Sequence, residues 1–262
     1  ILVFKVSDGY ILPSSSKRRT TQIDVLAIGA HPDDIELACG GTITKLVKQG
    51  YGVALADVTQ GEMGTRGTKQ IRAREAEEAA RILGVKTRRN LRIPDGNVVL
   101  NKANVQKLVV LIRELKPTIM IIPHSIERHP DHVHTHHLCK EAWYYAGLQK
   151  LKTANHGAKQ SAHRPHHYFE FMQWHEFESS FIVDISDSYD SKMKAIRAHT
   201  SQFFNPLSKD PETKLSSPEF LETIETRAKY YGQRIGVKYG EPFLTQYSLG
   251  IKDMFDLIIH KR

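Results

Sequence analysis

Two short stretches hold the side chains that could do chemistry. His31-Pro32-Asp33-Asp34 offers an imidazole and two carboxylates, and His129-Pro130-Asp131-His132 offers two imidazoles and a carboxylate. His31 and Asp34 are three residues apart, so in a turn or a first helical coil both face one point. An imidazole and a carboxylate are two of the three protein ligands of a catalytic zinc, whose fourth position is left for water. Asp33, adjacent, points elsewhere and stays free as a base. A bland reading of the first stretch is an Asp-rich helix cap beside a surface histidine. The second stretch shifts that balance, because it repeats His-Pro-Asp with one further ligand type.

Each stretch sits where a strand should hand over to a helix. Ile23–Ile28 is short, apolar and β-branched, as in a buried parallel strand, and Thr118–Ile122 repeats that character. Pro32 suits a first helical turn, and carboxylates there meet the positive end of the helix dipole. Helical spacing then runs to Gly50 after the first corner and to about Gly147 after the second. In an open α/β sheet, ligands bind at the rim formed by the carboxyl ends of the strands.

The remaining chain supplies more of the same alternation. Val53–Val58 reads as a strand, Ile71–Leu83 as a helix, Asn90–Ile93 as a short strand and Pro94–Asn97 as a turn. A helix over Lys102–Leu115 places Val105, Leu108, Val109 and Ile112 on one face. The expected fold is α/β, a doubly wound, mostly parallel (Rossmann-like) sheet flanked by helices in a single domain. The glycine-bearing loop Thr59–Thr68 is expected to form a binding lip. The polar tract Lys150–Arg164 reads as a loop or lid. Pro165–Met172 and Ser180–Ile185 read as two strands in an antiparallel arrangement, followed by helices over Ser188–His199 and Pro218–Ile235.

Taken together, the two His-Pro-Asp stretches resemble the PIG-L/LmbE family of zinc-dependent N-deacetylases, over nearly the whole chain from about Ile23. Within that family the chain is most similar to the bacillithiol-pathway deacetylases, which act on an N-acetylglucosaminyl malate. The resemblance implies one Zn2+ per subunit on His31, Asp34 and His132, with another divalent metal as the alternative. Asp33 is then the general base, and His129, oriented by Asp131, faces the oxyanion or the leaving nitrogen. Arg72 and Arg164 fall at substrate-contacting positions, where a guanidinium suits the carboxylates of malate. The resemblance also implies a homo-oligomer, a trimer or hexamer. Many bacillithiol-type relatives carry a tyrosine near the start of the last helix that helps stabilise the oxyanion. This chain has Phe220, which cannot donate that bond. Alternatives within the same chemistry are a glucosaminyl inositol or a chitin-derived disaccharide as substrate, and a non-catalytic metal-dependent sugar-binding protein is the alternative outside it.

Composition narrows the remaining classes. The chain of 262 residues is long enough for one large α/β domain, expected over residues 23–262 after a flexible extension at 1–22. Its net charge of +8 is spread over separate clusters and lacks zinc-finger, RNA-recognition or basic-zipper patterns, so no nucleic-acid partner is expected. A solvated basic surface or attraction of an anionic small substrate accounts for it. Two cysteines, Cys39 and Cys139, fit buried positions in a reducing cytoplasm rather than a disulfide scaffold. No apolar run spans a bilayer, so no membrane partner is expected. Five histidines fall between positions 129 and 137. A nonspecific metal-binding patch is one reading, but His134, His136 and His137 need no metal role, and His124 reads as a rim or core residue.

Overall fold

The computed structural model describes residues 22–258, so the expected extension at 1–22 lies almost wholly outside the described residues. In chain order the first half holds β1 (Val25–Gly29), α1 (Asp34–Lys48), β2 (Val53–Asp57), α2 (Lys69–Leu83), β3 (Thr87–Asn90), α3 (Lys102–Leu115), β4 (Ile119–Pro123) and α4 (Pro130–Ala146). A small hairpin follows, β5 (Ala154–Asn155) with β6 (Ala158–Lys159). The second half adds β7 (His167–Phe171), β8 (Phe181–Asp184), α5 (Tyr189–Ala198), α6 (Phe220–Arg234) and β9 (Gly240–Leu244).

Seven strands form one sheet in the order β3-β2-β1-β4-β7-β9-β8. The first five in that order run parallel, β9 is antiparallel to both of its neighbours, and β8 again runs in the direction of the first five. Chain order reverses between β1 and β4, and that crevice is the switch point at which open α/β sheets take ligands. Helices cover both faces, which is why β1 is buried along its whole length. Its side chains divide by the two-residue period of a strand: Leu26 and Ile28 pack with α3 and α4, while Val25 and Ala27 pack with α1, α2 and α5. The mostly parallel, doubly wound sheet in a single domain is therefore as expected.

Two expectations about strands change. The third strand is Thr87–Asn90 rather than Asn90–Ile93, because Arg92 adopts φ +51° and leaves the extended region. The basic run holding this strand is not simply a solvated cluster. Arg88 forks onto Asp57 through two 2.8 Å bonds and reaches Glu36 at 2.5 Å, all three side chains being buried. The second change concerns β7 and β8, which do not pair with each other: β9 lies between them. Its sequence, Gly240-Glu241-Pro242-Phe243-Leu244, lacks the alternation of a strand.

Glu241 of β9 also explains a break in α1. The helix kinks at Cys39 (φ −139°), which frees backbone N–H groups in the following turn. The Glu241 carboxylate accepts them from Gly41 (3.0 Å) and Thr42 (2.7 Å), and Lys192 of α5 balances its charge at 2.6 Å. The sheet, α1 and α5 are thus locked together directly behind the first corner.

Candidate active site

The turn after β1 is tight. A Cβ at Gly29 would sit 3.0 Å from Asp34 Cβ, so glycine is what lets the strand end close under α1. The His31 N–H donates to Asp34 Oδ2 at 2.7 Å, fixing both ligand types of the motif on one side. Asp33 takes φ 133°, a region that side-chain-bearing residues rarely occupy and that costs roughly 1–3 kcal/mol. Arg72 at the start of α2 clamps this conformation, donating from Nη2 to the Pro32 carbonyl (2.8 Å) and to Asp33 Oδ2 (3.0 Å). Gly61 makes room for that guanidinium, since a Cβ there would lie 1.9 Å from Nη1.

The second corner completes a triangle. His132 Nε2 lies 3.3 Å from His31 Nδ1 and 3.3 Å from Asp34 Oδ1, and His31 Nδ1 lies 3.4 Å from Asp34 Oδ2. Ligand atoms about 2.0–2.1 Å from a tetrahedral zinc sit about 3.3–3.4 Å from each other. The three side chains, with Asp34 facing one histidine through each oxygen, bring one ligand atom apiece within 4.8 Å of one another, as a metal site needs. Without a metal, the three side chains pair electrostatically with one another. Burial opposes the Asp34 carboxylate, but His132 and His31 outweigh it and hold its pKa well below the usual range. Burial likewise disfavours His132 as a cation, yet Asp34 and then Glu127 raise it to about 9.

An outer partner bonds the His31 ring, while the His132 ring has a carboxylate near it but no hydrogen bond on Nδ1. His31 presents Nδ1 inward and donates from Nε2 to Asp95 Oδ1 at 3.0 Å, while Asp95 Oδ2 accepts the Met63 N–H of the glycine-bearing loop. Glu127 Oε2 faces His132 Nδ1 at 3.9 Å, and its other oxygen accepts N–H bonds from Trp174 and His175. Carboxylates behind metal-binding histidines fix the tautomer and raise ligand basicity. Gln173, after β7, donates to Asp34 Oδ1 at 2.7 Å, and Arg227 of α6 donates to the Gln173 carbonyl. Sequence reasoning singled out none of Asp95, Glu127, Gln173 and Arg227. Asp95 stood in a Pro-Asp-Gly turn, and an acidic residue on a rim turn was the one signal available.

Of the residues expected at the site, His31, Asp33, Asp34, His129, His132 and Arg72 line one cleft of about 1330 Å3. Burial pushes Asp33 up to about 6, against the pull of Arg72. His129 packs its ring edge-on to His31 and stacked on His132. Its Nδ1 accepts the Asp131 backbone N–H at 3.1 Å. That bond places the proton of the neutral ring on Nε2, and burial holds the pKa of His129 below its usual value.

Three expectations are corrected. The Asp131 carboxylate does not turn to the His129 ring: its Oδ2 accepts the Gly96 N–H at 2.8 Å and lies 3.6 Å from His31 Nε2. Arg72 is buried and bonded to Asp33 and to backbone carbonyls, so its guanidinium is committed to the turn rather than presented to a carboxylate substrate. Arg164 is remote from the cleft. It bonds the Tyr144 carbonyl at 2.7 Å and stacks on Tyr144 near the C-terminal end of α4. That helix of 17 residues starts at the site, so its other end lies about 25 Å away. Phe220 lines the cleft and stacks on Phe203. His136 is buried against the Pro123 carbonyl (3.0 Å), and His124 is buried against Glu170 (2.6 Å).

Comparison with known proteins gives the chain a family. Residues 26–143, which span both corners, match the family described as GlcNAc-PI de-N-acetylase (PIG-L). The chain is 34% identical to the diacetylchitobiose deacetylase of Thermococcus kodakarensis, over 83% of this chain and 80% of that one. It is 29% identical to the "Probable N-acetyl-alpha-D-glucosaminyl L-malate deacetylase 2" of Bacillus cereus, over 68% and 83%. Among solved structures, a conserved protein from Thermus thermophilus superposes with a TM-score of 0.79 at 34% identity, over 88% of this chain and 98% of that one. Sequence, fold and the paired His-Pro-Asp corners agree, and the chain belongs to the PIG-L family of N-acetyl sugar deacetylases, which are amide hydrolases.

Proposed function

We propose that the protein is a zinc-dependent hydrolase that removes the acetyl group from the N-acetylglucosamine unit of a small glycoside. The observation that carries this reading is the triangle of His31, Asp34 and His132 with the Asp33 carboxylate beside it, free of the triangle, at one end of a cleft. Zinc bound by the triangle would supply an activated water and a charge that polarises the acetyl carbonyl. Asp33 accepts the proton of the attacking water and returns it to the leaving sugar amine, a role suited to a carboxyl raised to about 6. His129 donates from Nε2 to the developing oxyanion, the task Phe220 cannot perform. Arg72 holds Asp33 in place through the strained turn. Asp131 anchors the Gly96 loop and acts on His31 at longer range.

The finer substrate in this reading is N-acetylglucosaminyl malate. With Arg72 committed and Arg164 remote, its support passes to other cations of the cleft. A chitin-derived disaccharide is the second reading, favoured by the likeness to a diacetylchitobiose deacetylase. The protein is further taken to be a cytoplasmic homo-oligomer. Its two free, buried cysteines fit a reducing compartment. Acetate release from N-acetylglucosaminyl malate and N,N′-diacetylchitobiose, with and without chelator, tests the reading. Chelator-sensitive release supports it, and no release from either sugar removes it.

A further inference from the structure

Buried arginines in this protein follow a rule that one of them breaks. Arg113 gives its N–H groups to the carbonyls of Ala146, Leu151 and Leu148 and to the Thr153 hydroxyl, at 2.6–2.9 Å. Arg88 is bonded to Asp57, Glu36 and the Ala76 carbonyl. Arg72 is bonded to Asp33, Pro32 and Gly61. Each of these three guanidinium groups has several acceptors waiting for it, as the cost of burying a charge requires, and only the Arg72 Nε is left without one.

Arg66 is only 5% exposed, yet among the described residues its guanidinium reaches no hydrogen-bond acceptor, and its Nε is fully enclosed without a partner. Its nearest charge is Asp210 Oδ2, 3.9 Å from Nε, on a side chain that is 55% exposed and so contributes little. Arg66 is nonetheless held firmly: Gln202 donates to its backbone carbonyl at 2.8 Å, and the next residue but one, Thr68, caps α2. It lines the same cleft as the metal triangle and Asp33. A buried, positioned cation without acceptors, facing a ligand cleft, is built to meet an anion.

We propose that Arg66 is a specificity-determining residue whose guanidinium fork binds an oxyanion, a carboxylate or phosphate, on the aglycone of the sugar substrate. This rests on the deacetylase reading above and deepens it, moving anion recognition from Arg72 and Arg164 to a residue on the loop between β2 and α2. The planar fork pairs with either oxyanion through two parallel bonds, and a neutral sugar collects neither.

The test is the ratio of kcat/KM for an anionic to a neutral substrate in the zinc-loaded enzyme. N-acetylglucosaminyl malate serves as the carboxylate arm, N-acetylglucosamine 1-phosphate as the phosphate arm, and N,N′-diacetylchitobiose as the neutral reference. The wild type should favour at least one anionic sugar, and Arg66→Gln should lower that ratio about 10- to 100-fold, the usual scale for a lost charge-assisted bond. Arg66→Lys, which keeps the charge and loses the fork, should fall between them and guards against misfolding of the first variant. Losses common to both substrates cancel in the ratio. An unchanged ratio in Arg66→Gln, or a wild type without preference for either anion, overturns the proposal. Calorimetric binding of the same sugars to zinc-loaded Asp33→Asn, with and without Arg66→Gln, separates the two readings. If the wild type releases no acetate, the deacetylase reading fails, while the ratio of the two affinities still decides Arg66.

Discussion

His31 Nε2 donates to Asp95 Oδ1 across 3.0 Å, and through that bond a turn 64 residues away sets the orientation of a metal-binding ring. Asp95 also holds the Met63 N–H, so one carboxylate ties the glycine-bearing lip to the first corner. Replacing Asp95 by Ala should weaken metal binding about 10- to 100-fold, as is usual for a lost outer partner. Chelator competition measures this directly, and an unchanged affinity would show that His31 is oriented by other means.

The histidine-rich tract offers a paired comparison. His132→Ala removes one corner of the triangle and should leave zinc weakly held and turnover abolished. His136→Ala breaks a buried bond to the Pro123 carbonyl and should reduce stability by about 1–3 kcal/mol while leaving zinc content intact. Elemental analysis of the two purified variants checks both halves. Full zinc occupancy in His132→Ala would contradict the ligand assignment.

Asp33 and Asp34 are neighbours with opposite electrostatics, one raised to about 6 and the other held well below the carboxylate range. Asp33→Asn keeps the shape and loses the base. Zinc should persist while kcat falls by roughly two to four orders of magnitude. If zinc disappears together with activity, Asp33 is a ligand and the two roles are reversed.

Away from the chemistry, Glu241 and Lys192 form a buried pair, 2% and 3% exposed, at the kink of α1. Glu241→Ala leaves the Lys192 ammonium and two helix N–H groups without their partner. A loss of about 3–5 kcal/mol in urea unfolding is expected. A change below about 1 kcal/mol would mean that water or another acceptor replaces the carboxylate.

What could be read from the sequence was what is local. The β1–α1 and β4–α4 corners each place their ligand types within four residues, next to a strand and a helix whose periods are plain, so the fold and the His31–Asp34 pair were legible, while the resemblance to the family supplied His132 as the third ligand. Asp95, Glu127, Gln173 and Arg227 were not, because Asp95, Gln173 and Arg227 each act on a residue far along the chain and none of the four carries a spacing signal of its own. Arg72 was marked as a site residue by the family resemblance alone, and its partner was not legible, since nothing local says that a guanidinium will close on Asp33 rather than on a substrate. Arg164 failed for a topological reason. It precedes β7, which runs parallel to β4, and so lies at the amino end of the strand, opposite the rim that binds ligands. The strand β9 was hidden by its Gly and Pro.

The central claim is that His31, Asp34 and His132 hold a zinc that makes the cleft an amide hydrolase. It is tested most directly by following acetate release from N-acetylglucosaminyl malate and N,N′-diacetylchitobiose before chelation, after chelation, and after zinc is returned. The account predicts release that is lost with the metal and restored with it, in wild type but not in His132→Ala. Release that survives complete removal of metal, or that His132→Ala retains in full, would contradict it.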